Sequence, residues 1–347
     1  MSRIAAVQGV LPPNRYAQAE ITEAIARFGF LDSTERRVLE RLHQHAKVDF
    51  RHLVLPLDDY AKLDGFGASN DVFVAAAVEL GSQAVAEALD LAGLTPRDVD
   101  MFLFTSVTGI AAPSVDSRIA SRLGMRPDLK RLPIFGLGCV GGAAGVARTH
   151  DYLSDKSAQV AVLLSVEFCS LTIQRDDRSI ANLVAGGLFG DGVTAVVATT
   201  TEGPGPRVID SRSHLYPDSE QVMGWDITNN GFRVVLDANV PAVVRTYLAD
   251  DVDGFLGDHG LTRKDITAWV CHPGGPRVLE AVIEALDLPP DALDVTWRSL
   301  AEVGNLSSSS VLRVLADTMA LDPPKGTPGL MIAMGPGFCS ELVLLEW

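Results

Sequence analysis

The sequence predicts a duplicated α/β fold, with strands and helices alternating through two similar halves. Three observations predict it. The first is an internal repeat. Gly93-Leu-Thr-Pro-Arg-Asp-Val-Asp-Met-Phe-Leu-Phe104 and Gly260-Leu-Thr-Arg-Lys-Asp-Ile-Thr-Ala-Trp-Val-Cys271 keep Gly, Leu, Thr and Asp in register, at an offset of 260 − 93 = 167. The second is a glycine-led helix start after each copy: Gly136-Leu-Gly-Cys139, then Gly304-Asn-Leu-Ser-Ser-Ser-Ser-Val311. The third is a pair of hairpin-like turns, Phe189-Gly-Asp-Gly192 and Met334-Gly-Pro-Gly337. They lead into the β-rich runs Val193–Thr199 and Phe338–Leu345, each ending its half.

Each repeat copy reads as a helix end, a turn and a buried strand. The helices before them are expected over Phe73–Ala92 and Val240–His259. Glycine and proline concentrate in Thr201-Glu-Gly-Pro-Gly-Pro206, which reads as a linker between halves at residues 1–200 and 207–347. Alternating strands and helices imply sheets covered by helical layers. If the halves pack about a pseudo-twofold axis, the two helix starts face one centre. Cys139 and Asn305 would then meet despite their separation in sequence.

Composition sets outer limits. The chain has 347 residues, 47% hydrophobic and 21% charged, enough for a large core. Aromatics make up only 6%, so that core is mostly Ala, Val and Leu. A net charge of −15 argues against nucleic acid or an anionic membrane as a general partner. The N-terminal apolar run is too short for a signal peptide, and no stretch reads as a membrane span. The cysteines Cys139, Cys169, Cys271 and Cys339 form no C-x-x-C pair. Free thiols in a reducing cytoplasm are expected, with no metal centre.

Cys139 stands in Phe135-Gly-Leu-Gly-Cys-Val-Gly-Gly-Ala-Ala-Gly145, which reads as the entry to a buried helix. A thiol has an ordinary pKa of about 8.5, and a helix N-terminus favours its thiolate. Core packing is the plain alternative. His272 follows the second repeated strand, in Trp269-Val-Cys-His-Pro-Gly-Gly275, and strand ends commonly carry functional groups in α/β proteins. His43, His45 and His52 lie in a mixed-charge N-terminal region, His150 and His259 in expected helices, and His214 in an expected loop. Asn305 is either an N-cap or a side-chain amide facing Cys139. Cys, His and Asn together form a coherent set: a nucleophile and two donors for one oxyanion. A cysteine hydrolase would use similar residues, but the surroundings of Cys139 lack its signature.

The motifs Gly136-Leu-Gly-Cys-Val-Gly-Gly142, Leu188-Phe-Gly-Asp-Gly192, His272-Pro-Gly-Gly-Pro276, Gly304-Asn-Leu-Ser-Ser308 and Gly335-Pro-Gly337 span most of the chain. In this combination and order the chain resembles the type III polyketide synthases, the chalcone-synthase-like group of the thiolase-like fold. The resemblance implies an αβαβα layered fold, a homodimer and coenzyme A thioester substrates, with no cofactor. It implies that Cys139 carries the acyl chain, and that His272 and Asn305 stabilise the enolate from decarboxylated malonyl-CoA. Phe189 matches the gatekeeping phenylalanine. Arg41 matches a residue that contacts the coenzyme A phosphates, whereas Val38 and His45 stand where lysines are common.

Departures from the family pattern bear on the product. The glycine-rich turn reads Ala333-Met-Gly-Pro-Gly337, keeping Gly335, Pro336 and Gly337 but altering the lead-in. Val107 stands where some members have a threonine in a hydrogen-bond network, of which Glu167 and Ser307 match the other parts. The loss of that hydroxyl favours a lactone. Val222–Arg233, with Trp225, resembles the bacterial alkylresorcinol and alkylpyrone synthases. Ala111, Ala112 and Cys169 are expected to leave room for an aliphatic tunnel. A fatty acyl-CoA starter extended by malonyl units is therefore the leading expectation. The alternatives are a malonyl-only tetrahydroxynaphthalene-type synthase, a ketoacyl synthase drawing malonyl from acyl carrier protein, and a non-catalytic partner subunit.

Overall fold

The computed structural model describes residues 2–29, 31–155, 157 and 159–347. Its first half contains β1 (Ser2–Val10), β2 (Asn14–Ala17), α1 (Gln18–Phe28), α2 (Ser33–His45), β3 (Phe50–Leu53) and α3 (Gly65–Leu91). It continues with β4 (Met101–Thr105), α4 (Val115–Leu123), β5 (Lys130–Ile134), α5 (Gly141–Leu153), β6 (Val160–Phe168), α6 (Ile180–Leu188) and β7 (Asp191–Thr199). The second half contains β8 (Arg207–Leu215), β9 (Met223–Thr228), β10 (Gly231–Leu236), α7 (Val240–Asp258), β11 (Ala268–Cys271) and α8 (Pro276–Leu286). It ends with α9 (Asp294–Val303), α10 (Ser308–Met319), β12 (Pro328–Gly335) and β13 (Cys339–Glu346).

Nine strands form one sheet in the order β11-β12-β13-β8-β1-β7-β6-β4-β5. Read outward from the centre, β8-β13-β12-β11 repeats the pattern of β1-β7-β6-β4: antiparallel pairs first, then one parallel pair. The halves join where β1 pairs with β8, through Ser2↔Val208 and Arg3↔Arg207. The repeated segments adopt the same turn. Gly93 and Gly260 have φ of 68° and 69°, a left-handed conformation that glycine adopts without a Cβ penalty. Asp98 then accepts from the Thr95 amide and hydroxyl, as Asp265 does from Thr262.

Side-chain alternation along the strands builds the layers. Met101 and Leu103, Met331 and Ala333, and Val343 and Leu345 face a central core with α5 and α10. Phe102, Phe104 and Leu164 face the outer layer of α3 and α4. Leu330, Ile332 and Leu344 face the outer layer of α7 and α8. The result is an αβαβα stack around two buried helices. Burial of one Val or Leu contributes about 1.5–3 kcal/mol, and the central layer is the one that both halves share.

Several expectations change. α6 lies between β6 and β7, so Phe189–Gly192 is a helix-to-strand turn; β6 and β7 still pair antiparallel. Gly335–Gly337 does close a hairpin, between β12 and β13. His214 lies in β8, not in a loop, and His259 caps α7. α3 is also long and apolar enough to cross a membrane by length and composition, contrary to the sequence reading. It packs instead on the sheet through Phe73, Ala77, Ala84, Val85 and Ala88, which makes it a core helix with one open apolar flank.

Candidate active site

Cys139 lies in a single helical turn, Gly138–Val140, that runs into α5. Gly138 has φ of 53°, and a Cβ there would meet the Pro336 ring at 2.6 Å. A Cβ on Gly335 would lie 2.7 Å from Leu137 O and Val140 N. The Gly335-Pro336-Gly337 turn is thus seated directly on the cysteine turn, and glycine at both contacts permits the approach.

His272 follows β11, its backbone amide donating to Ile332 O at 2.9 Å. Asn305 precedes α10 but does not cap it; the cap position is Ser307, at φ 50°. Asn305 is held on both sides by backbone. Its N–H donates to Leu188 O and its carbonyl accepts from Gly190 N, both at 2.9 Å, forming a bridge with Phe189. Its side-chain Oδ1 accepts from Ser307 N at 2.8 Å. That bond leaves the amide nitrogen as the donor, and it is this group that faces the Cys139 sulfur.

Cys139, His272, Asn305 and Phe189 line one cavity of about 30 Å³, with Leu188, Met223, Cys271 and Phe338 among its walls. An adjoining cavity of about 50 Å³ is lined by Val107, Cys169, Trp225, Ser307 and Pro336, and it also shares Cys139 and Phe189. Gly335 and Gly337 act through the turn. Arg41 lies apart on the exposed face of α2, where His45 Nδ1 contacts its carbonyl at 2.7 Å. Ala111 and Ala112 leave the site: they line an open surface depression with Asn70, Val74 and Arg118.

The electrostatics reverse one expectation. Burial pushes the Cys139 thiol up to about 12, and hydrogen bonds from Ser307 and Asn305 offset this only in part. The Cys139 Sγ to Ser307 Oγ distance is 3.8 Å. Burial likewise brings His272 down to about 3. Desolvation outweighs the helix terminus, so neither charge is favoured alone. Both ring nitrogens of His272 are buried with no hydrogen-bond partner among the described residues. Buried polar groups are nearly always paired, so these two mark a place built for another oxygen or proton.

Glu167 is fully buried beneath this site. It accepts from Val107 N at 3.1 Å, the Thr108 hydroxyl at 3.0 Å and the Ser308 hydroxyl. Burial raises its pKa to about 7. The network expected through Val107 and Ser307 therefore runs through their neighbours. Thr108 supplies the hydroxyl that Val107 lacks, and Ser307 bonds to the cysteine instead. Sequence reading missed Thr108 and Ser308 because alternation in a buried loop is not visible without its backbone. A larger cavity of about 230 Å³, with apolar residues such as Ile21, Ile25 and Leu183 and polar ones such as Arg51 and Gln174 in its wall, lies behind the site, between α1, the turn at Leu57–Lys62 and the segment after Cys169. It shares Ile173 and Asn182 with the reaction cavity.

A duplicated αβαβα frame with a cysteine, a histidine and an asparagine gathered at its centre defines a condensing enzyme of the thiolase-like class. The family model for chalcone and stilbene synthases matches at residues 1–202 for its N-terminal domain and 208–346 for its C-terminal domain. The chain is 56% identical to 1,3,6,8-tetrahydroxynaphthalene synthase of Streptomyces peucetius subsp. caesius, covering 99% of this chain and 93% of that one. It is 29% identical to phloroglucinol synthase of Pseudomonas fluorescens, covering 100% and 99%. The crystal structure of 1,3,6,8-tetrahydroxynaphthalene synthase from Streptomyces coelicolor A3(2) superposes with a TM-score of 0.95, at 30% identity over 99% of both chains. The chain belongs to the chalcone and stilbene synthase family and is a type III polyketide synthase.

Proposed function

We propose that this synthase uses malonyl-CoA as both starter and extender and forms a tetrahydroxynaphthalene-type aromatic product. The observation that carries the chemistry is the pair of orphaned ring nitrogens on His272, buried in one cavity with Cys139 and Asn305. The thiol attacks a thioester carbonyl: a carbon–sulfur bond to Cys139 forms, the bond to coenzyme A breaks, and the thiol proton passes through His272 to the departing sulfur. A second malonyl group then loses carbon dioxide. The electron pair of the broken carbon–carbon bond becomes an enolate, whose oxygen accepts hydrogen bonds from His272 and Asn305. The enolate carbon attacks the Cys139 thioester and the Cys139 thiolate leaves, giving an extended coenzyme A thioester. The thiolate then attacks that thioester, its bond to coenzyme A breaks, and the extended chain returns to Cys139. This route needs no metal.

The malonyl-only reading is supported by the 56% identical relative and by crowding around Cys139 from Phe189, Met223, Trp225 and Leu236. A second reading keeps one observation in its favour. The larger cavity behind Ile173 and Asn182 has room for an aliphatic tail, as a fatty acyl starter giving an alkylpyrone or alkylresorcinol would require. Supplying malonyl-CoA alone, then with a series of acyl-CoA starters, separates the two by mass spectrometry. A pentaketide aromatic from malonyl-CoA alone is expected. Consumption of malonyl-CoA only when a fatty acyl-CoA is present would overturn the proposal. Arg41 is proposed to contact coenzyme A phosphates. A homodimer is proposed through the open apolar flank of α3 and the exposed Ile110, and a cytoplasmic location accords with its free cysteines.

A further inference from the structure

Arg51 lies at the centre of β3 and is 1% exposed. One guanidinium nitrogen donates to Gly186 O at 2.6 Å and Phe189 O at 2.8 Å; another donates to Gln18 Oε1 at 2.9 Å. Gln18 in turn donates to Gly187 O at 2.6 Å. Arg51 and Gln18 together thereby gather the carbonyls of Gly186, Gly187 and Phe189 at the end of α6. These are the groups that a helix C-terminus leaves unpaired, and a cation there also favours the helix dipole.

The acceptors are neutral. Asp191, the buried acid nearest in charge, is bonded to Ser170 and to the Val54 amide. Arg51 is thus held by backbone geometry more than by an ion pair. The segment it grips is the one that carries Asn305, because Leu188 O and Gly190 N make the bridge to that residue. The stem of Arg51 packs there too. A Cβ on Gly304 would meet Arg51 Cγ and Cδ at 3.2 Å, and one on Gly190 would meet Cγ at 3.5 Å.

We propose that Arg51 is a positioning residue for the condensation. Its fork fixes the end of α6, and through the backbone bridge it sets the placement of Phe189 and Asn305 together. The inference rests on Asn305 serving the decarboxylation, as proposed above. A lysine at this position keeps the charge but cannot span two carbonyls and Gln18, so Arg51→Lys tests geometry against charge.

The measurement is carbon dioxide release from malonyl-CoA by purified variants, with cooperative melting and the amount of alkylatable Cys139 measured on each sample. Arg51→Lys is expected to lower kcat on the order of tenfold, because small displacements of a reacting group are costly. KM is expected to change by less than about twofold, since Arg51 lines neither cavity at Cys139. A loss that merely follows the folded fraction, or a kcat like that of the parent, overturns the inference. Asn305→Ala is measured alongside: full decarboxylation there would overturn the site assignment and this inference with it. Activity lost in Asn305→Ala but retained in Arg51→Lys overturns the Arg51 role alone. If Arg51→Lys fails to fold, Gln18→Met carries the test. Loss of the Gln18 hydrogen bonds to Arg51 and to Gly187 O predicts a fall of about threefold or more in kcat, and no fall overturns the role.

Discussion

Among single residues, Glu167 bears the clearest thermodynamic signature. Its carboxyl is buried under four donors, yet burial prevails and raises its pKa from the ordinary 4.5 to about 7. The folded state therefore holds the proton more tightly than the unfolded chain. Its contribution to stability is fully present below the unfolded pKa and is lost as pH rises through about 7. Glu167→Gln removes that dependence. The difference in urea unfolding free energy between variant and parent should grow in favour of the variant from pH 5 to pH 8, by about 2.5 kcal/mol. A constant difference would mean that Glu167 is ionised throughout. The same residue shows what sequence could reveal. Cys139, His272 and Asn305 are legible because each sits in a short motif whose glycines or proline announce a turn. Thr108 and Arg51 carry no such mark, and Ser308 shares the Asn305 motif without a sign of its own; each is given its role by the elements that fold over it. The low-pKa thiol expected from a helix start also failed, because desolvation is a property of the assembled core.

At the scale of elements, the packing of α5 against α10 sets how near the cysteine turn comes to the asparagine turn. Gly142 is the contact: a Cβ there would lie 2.2 Å from Ser308 O and 2.7 Å from Val311 Cγ1. The first obstacle is backbone and cannot swing aside. Gly142→Ala should therefore destabilise the fold by about 3 kcal/mol or more, with a lowered melting temperature. Gly257, in the exposed last turn of α7, has no atom within 4 Å of such a Cβ. Gly257→Ala should leave the melting temperature unchanged or raise it, by the helix propensity gain of about 0.5–1 kcal/mol. Equal effects at the two sites would refute the close crossing. The repeat was legible at this scale because the Thr-x-x-Asp turn has local chemistry, which both copies keep. The α6 insertion was missed because Ile180–Leu188 is a short apolar run that periodicity cannot assign to helix or strand.

Across the whole molecule, the duplicated plan was readable but its consequence was not: the halves share one core. β1 pairs with β8 across the linker, and the cysteine turn with α5 contributes Val140, Ala143, Val146 and Ala147 to the same cluster as Val270, Val311, Met331 and Val343. A half taken alone would expose that inner face to water. Its strands would also end on an unpaired edge at β8, which invites association with other chains. Residues 207–347 expressed alone should consequently fail to give a cooperative melt and should aggregate. Residues 1–206 and 207–347 produced together should recover a single transition and turnover of malonyl-CoA, because the linker Thr201–Pro206 only connects faces that already fit. Far-UV circular dichroism and light scattering on the separate halves, with carbon dioxide release on the pair, read this directly. A C-terminal half that folds and stays monomeric would show that each sheet stabilises itself. The central helices would then be an interface between two domains, and the meeting of Cys139 with His272 and Asn305 would depend on docking rather than on folding.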